Sequence, residues 1–373
     1  RAPGMPLTHR HPRSDVGAPL VGTLVWMSHK GRMTHIRSYS PRKGPEPWLD
    51  TNPIGGIEIA QAMKETVEAS ACGKVILLGE HAVVYGRPAL AAPVCGLRAR
   101  VWAEPLPDGS GCWIEATDVG EKIGLATAPP EHPLALAVRL ALGHLGLPEP
   151  DLRLILRSEL PIAGGLGSGA AVSAALIRAI FRWSGRPVDP EVVSALVYEV
   201  EKRYHGTPSG IDNTVIAYER PIRFIRGQPP VFLSIGRPFT LVIADSGVPS
   251  PTRETVAAVR AGWERDPGRY ERLFDMIAEL VQEAERCLAS GRIEDLGPLL
   301  DANHRLLGEL GVSSPLLDHL TEVARKAGAL GAKLTGGGRG GNIIALARPE
   351  QAERVAQALR AAGARAAYRT KVV

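Results

Sequence analysis

Residues 159–176 read Glu-Leu-Pro-Ile-Ala-Gly-Gly-Leu-Gly-Ser-Gly-Ala-Ala-Val-Ser-Ala-Ala-Leu, a run of small residues that opens directly into an Ala-rich helical stretch. Just ahead of it, residues 151–157 alternate apolar and polar side chains as a half-covered strand does. Strand, glycine loop and helix in immediate succession leave little choice of local fold, because glycines permit backbone angles and close approaches that a Cβ would block. Successive N–H groups in such a loop can converge on one point, and the helix that follows adds its unpaired N-terminal donors and the positive end of its dipole. The arrangement suits a phosphate. A tight packing turn would use the same residues, so the loop alone does not decide between the two readings.

At 373 residues the chain exceeds what one core usually holds, and two domains are expected. No apolar run approaches the roughly 18 residues of a membrane span, so no membrane partner is expected. Cys72, Cys95, Cys112 and Cys287 form no Cys-x-x-Cys pair. They suggest neither a zinc site nor a disulfide framework and fit a reducing cytoplasm, with Cys72 read as a small buried apolar residue. The net charge is +5, but residues 1–60 carry 8 Lys+Arg against 4 Asp+Glu, which leaves 36 against 35 for the remainder. A nearly neutral body argues against nucleic-acid binding, which needs a basic face on the folded part.

The same 60 residues hold 8 Pro and 7 Gly and sustain no helical or strand period. Residues 1–62 therefore read as a poorly ordered extension. The segment lacks the apolar stretch of a secretory signal, although its arginines and few acids also allow a transit-like peptide. Met63, which begins Met-Lys-Glu-Thr-Val-Glu-Ala, reads as a natural start, and a chain beginning there is expected to keep full activity.

From about residue 69 the pattern becomes regular. Strands are expected over 73–78, 96–104, 112–116 and 151–157, with helices over 134–145, 170–183 and 190–204 and two more strands near 221–225 and 231–235. After a strand at 240–245, helices cover 252–264, 267–290, 293–310 and 315–328. The chain closes as strand, glycine loop, strand, helix, strand over 332–371. The class is α+β, divided near residues 227–239 into domains at 63–235 and 236–373.

Two further clusters carry chemistry. In residues 73–86 an apolar strand with Lys74 near its start delivers Glu80 and His81 at its far end. An ordinary polar turn with a solvated lysine would look the same. In residues 199–213 a helix bearing Glu199 and Glu201 runs into Gly-Thr-Pro-Ser-Gly, followed by Asp212 and Asn213. An Asp after such a turn also serves as a cap.

Taken together, residues 74–86, 161–171 and 333–346 resemble, in order and spacing, the three motifs of the GHMP small-molecule kinases, which include the galactokinases, homoserine kinases and mevalonate kinases. Residues 79–86, Gly-Glu-His-Ala-Val-Val-Tyr-Gly, and 205–213, His-Gly-Thr-Pro-Ser-Gly-Ile-Asp-Asn, are most similar to the mevalonate kinase branch. The resemblance covers residues 69–373. It implies a two-domain fold, with an N-terminal ribosomal-protein-S5-domain-2-like domain and a C-terminal ferredoxin-like α/β domain, and ATP in the cleft between them.

The reaction so implied moves the γ-phosphoryl of ATP to the primary hydroxyl of mevalonate, with Mg2+ as cofactor and ATP and mevalonate as partners. A homodimer is compatible with it. By resemblance Asp212 is the base, and Lys74 stands between it and the phosphoryl group, where its charge favours an ionised aspartate. Glu201 matches the carboxylate that holds magnesium. Glu80, His81, His205 and Thr252 match residues on the substrate side. Ser158 matches an ATP contact. The loop of Ala163, Gly164, Gly165, Leu166, Gly167, Ser168 and Gly169 would wrap the phosphates, and Gly336, Gly337 and Gly338 would bring a second glycine loop to the same cleft.

Departures from the family pattern matter as well. The family commonly has two serines where this chain has Ser168 and Gly169, and it is the second that usually meets magnesium. The metal then takes Ser168 or keeps a water. Arg339 and Asn342 stand where Gly and often Cys are usual; Arg339 reads as solvated, with a reach to a substrate anion as the alternative. Residues 165–170 also satisfy the Gly-x-Gly-x-x-Ala dinucleotide fingerprint, but Asp189 opens a helix instead of ending the next strand, which counts against an NAD-linked oxidoreductase. A non-catalytic sensor would be expected to lose Lys74 or Asp212. Among kinases, phosphomevalonate and homoserine remain open as acceptors.

Overall fold

The computed structural model describes residues 65–161, 164–205 and 208–373, with side chains described throughout except at 204 and 205. They belong to one compact unit, Asn52–Val373. The extension expected over residues 1–62 lies outside the described residues.

The first half comprises β1 (Val67–Leu78), β2 (Ala89–Pro105), β3 (Cys112–Ala116), β4 (Glu121–Gly124), α1 (Pro133–Leu145), β5 (Leu152–Ser158), α2 (Ser168–Trp183), α3 (Pro190–His205), α4 (Ile211–Tyr218), β6 (Ile222–Phe224) and β7 (Val231–Phe232). The second half holds β8 (Phe239–Asp245), α5 (Thr252–Arg265), α6 (Pro267–Ser290), α7 (Leu296–Glu309), α8 (Pro315–Lys326), β9 (Gly331–Thr335), β10 (Asn342–Ala347), α9 (Ala352–Ala361) and β11 (Ala366–Val372). Helix starts follow their residues. Asp266 and Ser314 accept from the N–H groups of Arg269 and Leu317, and Pro267 and Pro315 occupy the first turns.

β2 is the spine of a seven-stranded sheet ordered β4-β3-β5-β2-β6-β7. β1 runs antiparallel along one edge of β2, while β5 and β6 pair with its other edge at opposite ends. Among the described residues only β3 and β5 pair in parallel. A second sheet runs β11-β8-β10-β9, antiparallel throughout. In β8 and β10 alternate residues serve two cores: Leu241, Ile243, Ile344 and Leu346 join the core of the first sheet, while Val242, Ala244, Ile343 and Ala345 face a second core built with the C-terminal helices. A strand covered on both faces explains the continuous apolar run of β10.

Beyond the short strand β4, which no expected element covers, two findings depart from the sequence reading. α4 was not anticipated: its eight residues are too few to show a period, and its first turn carries Asp212. The second departure corrects the cysteine assignment, because Cys72 and Cys95 form a disulfide, their Cα atoms 4.6 Å apart. The physical cause is a break in register. Cys72 stands opposite Arg98 but Gly73 opposite Val94, so Cys95–Leu97 bulge from β2 and Cys95 swings back to Cys72. Cys112 and Cys287 are free and buried.

Candidate active site

The site begins at Gly73. A Cβ there would lie 2.5 Å from the Leu160 side chain and 2.9 Å from the Leu166 carbonyl, so glycine lets Leu160 and Leu166 rest on β1. The next residue, Lys74, is 5% exposed and leads into the apolar run of residues 75–78. Its N–H donates to Leu166 O at 2.9 Å, and its ammonium donates to Gly165 O at 3.3 Å while standing 3.2 Å from Asp212 Oδ1. Lys74 thus ties the glycine loop to the first turn of α4. Gly167 completes the contact at φ 70°, where a Cβ would meet Lys74 Cγ at 3.1 Å and Asp212 Oδ2 at 3.4 Å.

Glu201, in the last turns of α3, shares this field. Burial first, then the charge of Asp212, push its carboxyl up to about 8, against the pull of Lys74. Its half-buried carboxylate has no hydrogen-bond or ion-pair partner among the described residues. The Ser168 hydroxyl, at the start of α2, also makes no hydrogen bond among them. Two oxygen donors without partners, one of them a carboxylate short of a cation, fit a hard divalent ion such as Mg2+. Gly169 offers no oxygen.

A second charged pair lies deeper. Lys333 in β9 donates to Glu80, and both side chains are sealed from solvent. Burial drives the Glu80 carboxyl up and the Lys333 ammonium down, each opposed by the other. The Glu80 backbone leads to His81, held at φ 61°, with Nε2 3.1 Å from Gly337 O. A carbonyl only accepts, so Nε2 carries the proton, and burial lowers the ring to about 4 and keeps it neutral. Thr252 at the head of α5 crowds Gly337, where a Cβ would lie 2.4 Å from its hydroxyl, and Ser250 donates to Gly338 O at 2.9 Å. Gly336 approaches the first glycine loop, its Cβ position 3.7 Å from Gly165 O. The two glycine loops therefore meet backbone to backbone.

The structure brings together Lys74, Asp212, Gly165, Leu166 and Gly167, and, around the second loop, Glu80, His81, Thr252 and Gly336–Gly338. Ser158 ends β5 and turns its hydroxyl to Leu160 N–H at 3.3 Å; no contact joins it to the others among the described residues. Ala163 lies outside the described residues, as does the side chain of His205. Arg339, exposed at φ 57°, donates to Gly311 O at 3.1 Å.

Several supporting residues escaped the sequence reading: Lys333, Thr335, whose hydroxyl bonds both backbone groups of Ile76, and Asn303, which accepts from Gly79 N–H. The available signal was a lysine and a threonine inside a strand that is otherwise apolar.

Two glycine loops converging beside a lysine and two carboxylates define a phosphoryl-transfer enzyme of the GHMP class. The family described as GHMP kinases N terminal domain matches residues 133–220, and GHMP kinases C terminal matches residues 276–365. Mevalonate kinase of Thermococcus gammatolerans is 38% identical over 80% of this chain and 93% of its own length. Mevalonate kinase of Pyrococcus horikoshii is also 38% identical, over 81% and 94%. A crystal structure of L. major mevalonate kinase in complex with R-mevalonate superposes with a TM-score of 0.73 at 30% identity, covering 83% of this chain and 97% of that one. The chain belongs to the mevalonate kinase family of the GHMP kinases, with its two-domain fold. The dinucleotide reading of residues 165–170 is thereby set aside.

Proposed function

We propose that this enzyme transfers the γ-phosphoryl of ATP to the primary hydroxyl of mevalonate, releasing ADP and 5-phosphomevalonate, with residues 63–235 and 236–373 as its two domains. The observation that carries this reading is the position of Lys74, whose ammonium touches both the phosphate loop and the carboxylate of Asp212. Asp212 accepts the hydroxyl proton as the alcohol oxygen bonds to the γ-phosphorus and the bond to ADP breaks. Lys74 holds carboxylate and loop in one geometry, and its charge faces the transferring group.

His81 and Thr252, gathered at Gly337, present an imidazole and a hydroxyl to the alcohol. Glu201 and Ser168 would hold magnesium, which when bound neutralises charge on the phosphate oxygens. No helix of the described residues is long and apolar enough to cross a membrane. ADP release measured with purified protein across mevalonate, phosphomevalonate, homoserine and galactose tests the reading. Acceleration by mevalonate is expected, and none with mevalonate would overturn it.

A further inference from the structure

The glycine loop is held from the far side by a residue outside the first half of the chain. Asn342 opens β10, paired to Thr335 on one side and Asp245 on the other, and is fully buried. Its Nδ2 donates to Gly164 O. Since that carbonyl can only accept, the amide is oriented with nitrogen toward the loop, leaving Oδ1 buried with no partner among the described residues. Gly341 permits this approach, since a Cβ there would already lie 3.3 Å from Gly164 O. Among the described residues no other hydrogen bond runs from the second half of the chain to residues 161–170.

Three consecutive carbonyls are therefore pinned: Gly164 O by Asn342, Gly165 O by the Lys74 ammonium and Leu166 O by the Lys74 N–H. In a planar trans peptide the N–H of the following residue points opposite to the carbonyl. Pinning these three carbonyls turns the N–H groups of Gly165, Leu166 and Gly167 to the other side of each peptide, and none of them meets an acceptor among the described residues. Free, oriented backbone donors in a glycine run form an anion cradle.

We infer that Asn342 is a positioning residue for the nucleotide, aiming the Gly165 N–H at a phosphate of ATP by fixing the Gly164 carbonyl. It touches no substrate itself. The inference rests on the reading of this loop as an ATP phosphate site, but not on which alcohol is the acceptor. Truncating the donor leaves a buried carbonyl unpaired and frees the first peptide of the cradle.

The test is calorimetric titration of Asn342→Ala and the near-isosteric Asn342→Asp with magnesium ATP, beside the KM for mevalonate and the melting temperature. ATP affinity is expected to fall about tenfold in the alanine variant, the size of one buried hydrogen bond, and to fall in the aspartate variant as pH rises and its buried carboxyl loses the proton that could replace the amide donor. The mevalonate KM should stay within about twofold, because the cradle and not the alcohol site is disturbed. Unchanged ATP affinity in the folded alanine variant would overturn the inference. So would an equal loss for both substrates that tracks a lowered melting temperature, since that marks a structural clamp. Nucleotide titration needs no alcohol, so an enzyme that binds ATP but ignores mevalonate would fail the functional proposal while leaving this test intact.

Discussion

Lys74–Asp212 and Lys333–Glu80 are both lysine–carboxylate pairs, yet their surroundings divide them. The side chains of the first pair are 6% and 27% exposed; those of the second are 0% and 1%. A carboxylate that must take a proton from an incoming alcohol has to be reachable, and Asp212 sits in the first turn of a short helix with one face open. Glu80 cannot be reached. It ties the turn after β1 to β9, and so fixes the neighbouring His81 through the backbone. On the proposed reading, similar chemistry serves turnover in one place and geometry in the other, and the two pairs differ in exposure.

Lys74→Met should break the first pair most visibly. Turnover is expected to fall by roughly 10² or more, because carboxylate orientation and charge stabilisation are lost together, and steady-state ADP release measures it. Retention of most activity would mean that the pair is only structural. Lys333→Met should do the opposite, lowering unfolding free energy by about 3 kcal/mol in denaturant titration, since Glu80 loses its buried partner. Intact stability would place the second pair outside the scaffold.

A smaller effect sharpens the electrostatics of the first pair. Glu201 holds its proton up to about 8, against an ordinary value of 4.5, so the folded state binds more protons than the unfolded one between those limits. Stability should therefore decline as pH rises through that window and level off above it, and Glu201→Gln should flatten the slope. Binding of magnesium ATP at pH 7 should expel about one proton, read from calorimetry in buffers of different ionisation heat, and the glutamine variant should expel none.

The first pair and its loop each stand in a local run: Lys74 ahead of the apolar residues 75–78, residues 161–171 in a glycine run, and Glu201 and Asp212 on either side of a glycine-proline turn. Each run alone also allowed a plain turn, a solvated lysine or a cap, and the resemblance to the GHMP kinases is what joined them. The second pair was not legible. Lys333 meets Glu80 across 253 residues, and no local period records a contact that only the stacking of two sheets creates. The disulfide was hidden for a related reason. Cys72 and Cys95 become neighbours only because three residues bulge from β2, and a register break leaves no mark on alternation. Helix α4 escaped through its shortness; the local run of Asp212 also allowed a cap, its assignment as the base came from the resemblance, and α4 carries it to within 3.2 Å of Lys74.

The central claim is that the exposed member of the first pair performs chemistry. Asp212→Asn keeps the shape of the side chain and removes the base. Turnover with mevalonate, measured beside ATP affinity and melting temperature, should fall by about 10² to 10⁴ while the other two stay at the parent values. Turnover close to that of the parent protein would contradict the account.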